Sequence, residues 1–82
     1  MKKIRILMID DNVNLTEMVK EYFANNDKIE VVLCSYNGED GLNTIINQED
    51  EYDIVLLDLI MPQRDGMYVL EELKKRGISK NI

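Results

Sequence analysis

Three carboxylates stand out by where they fall in the chain. Asp10 and Asp11 close an apolar run, Ile4 to Ile9, and Asp58 closes another, Ile54 to Leu57. If these runs are neighbouring strands, all three acids converge on one point of a sheet rim. Convergence is costly, because two unit charges about 5 Å apart repel by roughly 3 kcal/mol at an effective dielectric of 20. A proton or a cation must offset that cost. The chain has no histidine, and its one cysteine, Cys34, lies in a different apolar run. Oxygen donors alone suit a hard divalent ion, Mg2+ first, with Ca2+ or Mn2+ as alternatives. An ion held by few carboxylates keeps positions for water or phosphate oxygens, so the same rim can serve phosphoryl transfer.

Taken singly, each acid has a plainer reading. Asp-Asp-Asn after a strand is a common helix N-cap, and an Asp at a strand end is a common turn residue. The two events gain weight together, because they fall on the same edge of one βαβ framework. Asp53 starts its strand at the opposite edge and reads as solvated. Asp65, before Gly66, reads as a turn and helix-entry residue. Lys74, Lys75 and Arg76 complement the negative end of the last helix, roughly 15 Å from its start, too far to serve the rim.

The elements that must position these acids alternate between two apolar patterns. Ile4 to Ile9 is apolar on both faces apart from Arg5, as suits a strand covered on both sides. Leu15, Met18, Val19, Tyr22 and Phe23 form an i, i+3, i+4, i+7, i+8 series, the buried stripe expected of a helix over about 13–24. Asn14 and Glu17 have the spacing of a capping box for it. Ile29 to Ser35 reads as a second strand, with Cys34 a small buried hydrophobe. A weaker helix, about 39–47, buries Leu42, Ile45 and Ile46, and Gly38 and Gly41 blur its start. The third strand is 53–58. The last helix, about 66–76, buries Met67, Val69, Leu70 and Leu73 and stops at Gly77. The order β-α-β-α-β-α, with helical crossovers, implies an α/β fold on a parallel sheet with right-handed connections. Ligands of such sheets bind at the carboxyl ends of the strands.

Composition narrows the functional classes. Eighty-two residues with 45% apolar and 32% charged side chains make one small globular domain. Ten basic against sixteen acidic residues give a net charge of −6, shared evenly between residues 1–41 and 42–82. That sign, without a basic stripe, argues against direct nucleic-acid binding by this segment. Unbroken apolar runs stop at four residues, so neither a membrane span nor a secretion signal is expected. A single cysteine fits a reducing cytoplasm.

Strand, Asp10-Asp11-Asn12 and helix, followed by strand, Asp58, Leu59-Ile60-Met61-Pro62 and Asp65-Gly66, resembles the receiver domain of bacterial two-component response regulators. Within that family, Tyr36-Asn37-Gly38-Glu39 and Ile60-Met61-Pro62 with Asp65-Gly66 and Val69-Leu70-Glu71 are similar to the sporulation-initiation regulators. The likeness covers essentially all 82 residues. It implies a flavodoxin-like parallel sheet in which this chain supplies strand order 2-1-3. Asp58 is implied as phosphoacceptor for a phosphohistidine on a sensor histidine kinase or histidine phosphotransfer protein. Asp11 is implied as the direct Mg2+ ligand, Asp10 as support for the metal shell, and the backbone carbonyl of Ile60 as the remaining protein ligand. Asn12 matches a rim position that affects phosphoryl lifetime, and Pro62 and Gly66 match residues that shape the loop. The implied role is regulatory rather than enzymatic, with a sporulation-type transcriptional output.

The likeness also marks departures. Family members continue for two further βα units, whose strands supply a Ser/Thr and a Lys to the phosphoryl group. Residues 1–82 correspond to the first three units only, so impaired switching is expected. Strand three is then expected as a bare apolar edge, open to self-association. Gly41 stands where the family usually has small helix formers such as Ala, which implies a minor weakening of the second helix. Three other readings compete. One is a Mg2+-dependent phosphohydrolase with an aspartyl nucleophile, which usually shows Asp-x-Asp with a following Thr. Another is a flavin-binding module, which would need a Ser/Thr/Gly-rich phosphate loop. The last is an inert dimerisation fragment.

Overall fold

Strand β1 (Ile4–Ile9) is the centre of a three-stranded sheet, flanked by β2 (Ile29–Ser35) and β3 (Ile54–Leu57), both parallel to it. The computed structural model describes residues 2–60 and 65–82. Helices α1 (Val13–Tyr22), α2 (Gly38–Asn47) and α3 (Gly66–Lys75) follow the three strands, with a 3-10 turn at Glu49–Glu51 before β3. The fold class and strand order are those expected. No helix among the described residues is long and apolar enough to cross a membrane.

The two-sided apolar run of β1 sets the layering. Leu7 and Ile9, fully buried, face a larger core built from Val55, Leu42 and Ile45 of α2, and Val69 and Leu73 of α3. Tyr52 joins that core and donates its buried hydroxyl hydrogen to the Ile45 carbonyl at 2.8 Å. Ile6 and Met8 face a smaller core with Val31, against which Val19, Ile29 and Cys34 pack. The β1–β2 register shifts between Ile6 and Leu7, where Val31 and Leu33 become successive partners and Val32 is the extra residue of a bulge.

Each helix begins on a side-chain cap. Asn12, Asn37 and Asp65 accept the N–H groups of Leu15, Asp40 and Tyr68 at 3.0, 2.9 and 3.1 Å. Gly77, at φ 67°, ends α3 in a left-handed turn. Its N–H reaches the Lys74 carbonyl and that of Ile78 reaches Leu73, the paired closure of a Schellman motif.

Several expectations are corrected. The cap of α1 is Asn12, not Asn14, which lies inside the helix. The Asn12 carbonyl takes both the Thr16 N–H and the Thr16 hydroxyl, which starts the helix at Val13, near its expected start. The inward line of α1 is also rotated: Thr16 is fully buried and Val19 and Phe23 are half-buried, whereas Leu15, Met18 and Tyr22 are exposed. A stripe five residues wide holds two candidate inward lines. Packing against β2 selects the one headed by the small Thr16. Met67 is likewise exposed, and Cys34 is half-buried rather than buried. The outer edge of β3 is not bare, because the Val55 N–H donates to the Asn81 carbonyl at 2.8 Å. Lys80 anchors the same stretch to Glu49 at 2.9 Å. The expectations for Met61 and Pro62 lie outside the described residues.

Candidate functional site

The backbone at the carboxyl end of β1 is tied to both neighbouring strands at the level of the acids. The Asp10 N–H donates to the Ser35 carbonyl at 3.0 Å, and the Asp58 N–H donates to the Ile9 carbonyl at 3.0 Å. These bonds put residues 10 and 58 side by side on one rim, where parallel pairing of β1 and β3 should bring them.

Their side chains are held by the turns that follow. Asp10 Oδ1 accepts the Asn12 N–H at 2.9 Å, and Asp58 Oδ1 accepts the Ile60 N–H at 3.0 Å. Both are Asx turns, in which a carboxylate takes the N–H two residues ahead. Asp10 and Asp58 are half-buried and Asp11 is exposed. One oxygen from each of the three lies within 4.8 Å of the others. At that spacing each charged pair repels by roughly 3 kcal/mol at an effective dielectric of 20. The expected convergence of Asp10, Asp11 and Asp58 is therefore met.

This donor set fits a hard divalent ion. All three groups are carboxylates, and each of the two held acids keeps a second oxygen for a cation. Ile60 is 86% exposed and joins the rim through its N–H. Cys34 packs half-buried against the smaller core, and burial pushes its thiol above the ordinary value. Asp65 caps α3, as its position suggested. Asp53 is more than a solvated strand start, because it grips Arg5 at the opposite edge of the sheet.

Two glycines bear on the rim in a way composition did not reveal. A Cβ at Gly66 would press on the carbonyl oxygen of Asp58 and lie 2.7 Å from the Cα of Leu59. Helix α3 can therefore start directly behind the Asp58 backbone only because residue 66 lacks a side chain. At Gly41 a Cβ would lie 2.7 to 3.0 Å from three side-chain carbons of Ile9. The signal for the first was present in the Asp-Gly pair. The second depends on an approach between elements far apart in sequence.

A parallel βα sheet of order β2-β1-β3 with a carboxylate cluster at its carboxyl rim defines a receiver-type α/β domain. The sequence model of the family described as "Response regulator receiver domain" matches residues 6–82, and the chain belongs to that family. It is 40% identical over 73 residues to the protein-glutamate methylesterase/protein-glutamine glutaminase of Oceanobacillus iheyensis, a match covering 89% of this chain and 20% of that protein. It is 30% identical over 81 residues to the probable C4-dicarboxylate response regulator DctR of Bacillus subtilis, covering 99% of this chain and 35% of that one. Among solved structures, the Francisella response regulator 1452 receiver domain superposes with a TM-score of 0.77 at 27% identity, over 95% of this chain and 61% of that one. The chain thus spans about a fifth to a third of the length of these curated relatives.

Proposed function

We propose that Asp58 accepts a phosphoryl group from a phosphohistidine on a sensor histidine kinase or histidine phosphotransfer protein. The single observation that carries this reading is the meeting of Asp10, Asp11 and Asp58 oxygens within 4.8 Å at the end of two adjacent parallel strands. Membership of the receiver family supports it. A carboxylate oxygen of Asp58 forms the new O–P bond as the N–P bond of the donor breaks, and the electron pair leaves with the imidazole nitrogen. The Ile60 N–H on Oδ1 and the Ile9 carbonyl on the backbone N–H orient the Asp58 carboxylate before the donor arrives.

We assign Asp11 as the direct ligand of a Mg2+ ion, with Asp10, Asp58 and the Ile60 carbonyl completing the protein's share of its shell. When bound, the ion supplies positive charge against the three carboxylates and the equatorial phosphoryl oxygens. Asn12, whose carboxamide oxygen is committed to the α1 cap, stands at the rim where it can influence phosphoryl lifetime.

Residues 1–82 are read as the first three βα units of a receiver acting in the cytoplasm, where such a donor is met. For the output we infer transcriptional control of the sporulation-initiation kind. It rests on the Tyr36-Asn37-Gly38-Glu39 and Asp65-Gly66 motifs. Of the two relatives, one is named as a methylesterase and the other as a C4-dicarboxylate regulator, so similar receivers serve different outputs.

The test is intact mass after incubation with Mg2+ and acetyl phosphate, in the chain and in Asp58→Asn. A phosphoryl adduct is expected in the first and none in the second. An adduct of equal yield in Asp58→Asn overturns the assignment.

A further inference from the structure

We infer that Gly41 is a positioning residue for the carboxylate rim, acting through Ile9 as one half of a matched pair. The inference rests on the reading of Asp10, Asp11 and Asp58 as the functional site. Gly41 lies in the first half of α2 and is buried. A methyl there would fall 2.7 Å from Ile9 Cδ1, 2.8 Å from Cγ2 and 3.0 Å from Cγ1. Separations of that size sit inside van der Waals contact, so the Ile9 side chain, or the helix over it, must shift if residue 41 gains a side chain. Ile9 is itself fully buried.

Ile9 is also the hinge of the rim. It is peptide-bonded to Asp10, and its carbonyl accepts the Asp58 N–H at 3.0 Å. A displacement of Ile9 is therefore passed to both acids at once, one through a covalent bond and the other through a hydrogen bond. The seat of α2 on Ile9 fixes the separation of Asp10 from Asp58, and the glycine makes that seat possible. A side chain at residue 41 would meet Ile9 first, so its effect on the acids runs through that residue.

The experiment is a double-substitution cycle on the full chain, with Gly41→Ala, Ile9→Val and the two combined. Valine removes Cδ1, the atom nearest the new methyl, and leaves Cγ1 and Cγ2, so it relieves the crowding in part. Two quantities are read: Mg2+ affinity by calorimetric titration, and exchange of the Asp58 amide hydrogen. Each single change is expected to weaken Mg2+ binding by roughly three- to tenfold and to speed Asp58 exchange, with the double variant losing clearly less than the product of the two single losses. Gly77→Ala serves as a stability control, because its strain lies at the far end of α3 where a Cβ meets no atom within 4 Å. It should lower the unfolding midpoint and leave Mg2+ affinity unchanged.

If Gly41→Ala fails to fold, Ile9→Val and the double variant still decide the matter. Additive losses in the double variant, or Mg2+ affinity that merely follows the unfolding midpoint in every variant, overturn the inference. A parent chain that binds no Mg2+ overturns the reading of the site instead. In that case Asp58 exchange alone still tests whether the pair positions the rim.

Discussion

Arg5 and Asp53 clasp the amino ends of β1 and β3 through four bonds between the same two residues. Arg5 Nη2 and Nε donate to the two carboxylate oxygens of Asp53 at 3.0 and 3.2 Å. The Arg5 backbone N–H donates to the same carboxylate at 2.8 Å, and the Asp53 N–H returns a bond to the Arg5 carbonyl at 2.8 Å. The clasp sets the β1–β3 register at the end opposite the acids, and so helps decide which residues meet at the rim.

The clasp predicts a pH dependence. Hydrogen bonds from Arg5 hold the Asp53 carboxyl below its ordinary value of 3.8. A carboxyl depressed in the folded state adds stability above its unfolded value, and that stability is lost as pH falls through the folded one. The midpoint difference between the parent and Asp53→Asn should be full at neutral pH and shrink below about pH 4. Circular-dichroism melts across that range check it, and a difference that stays constant down to pH 2.5 would count against the clasp.

The cap of α1 predicts an asymmetry between two asparagines. Asn12→Ala removes the acceptor of the Leu15 N–H and should cost about 0.5–2 kcal/mol. Asn14→Ala, inside the helix and exposed, should change stability by less than about 0.5 kcal/mol. Urea unfolding of both variants distinguishes the structure from the capping box suggested by Asn14 and Glu17.

Gly66→Ala should be among the most damaging small substitutions. Its methyl is aimed at the Asp58 carbonyl and Leu59 Cα, which are backbone and cannot rotate away. A loss of more than about 2 kcal/mol is expected, together with loss of the phosphoryl adduct. Urea unfolding and intact mass measure the two. Unchanged values for both would mean that α3 does not start where the structure puts it.

Removing a charge from the rim should act with opposite signs in the absence and presence of Mg2+. In chelator, Asp11→Asn relieves repulsion among three crowded carboxylates and should raise the unfolding midpoint. With Mg2+ in excess, the parent gains stability by mass action, and the variant, short of one anionic ligand, should gain less. Thermal melts with and without Mg2+ measure this. Equal responses in both proteins would remove Asp11 from the metal shell.

Much of the architecture was legible in the chain, because its causes are local or periodic. The two-sided apolar run of β1, the helix-entry residue Asp65 and the stop at Gly77 are written in residue types a few positions apart, whereas the Asn37 cap of α2 emerged only from the structure. The alternation of strand and helix then forces parallel pairing, which delivers Asp10, Asp11 and Asp58 to one rim. Tertiary packing decided the rest. Which line of α1 faces inward depends on how the helix lies on β2, and hydrophobicity alone pointed at Leu15, Met18 and Tyr22. The engagement of Asp53 with Arg5, of Asn81 with Val55 and of Gly41 with Ile9 joins residues that sequence spacing keeps far apart. Such contacts depend on steric fit and hydrogen-bond geometry between elements, which exist only once the layers are assembled.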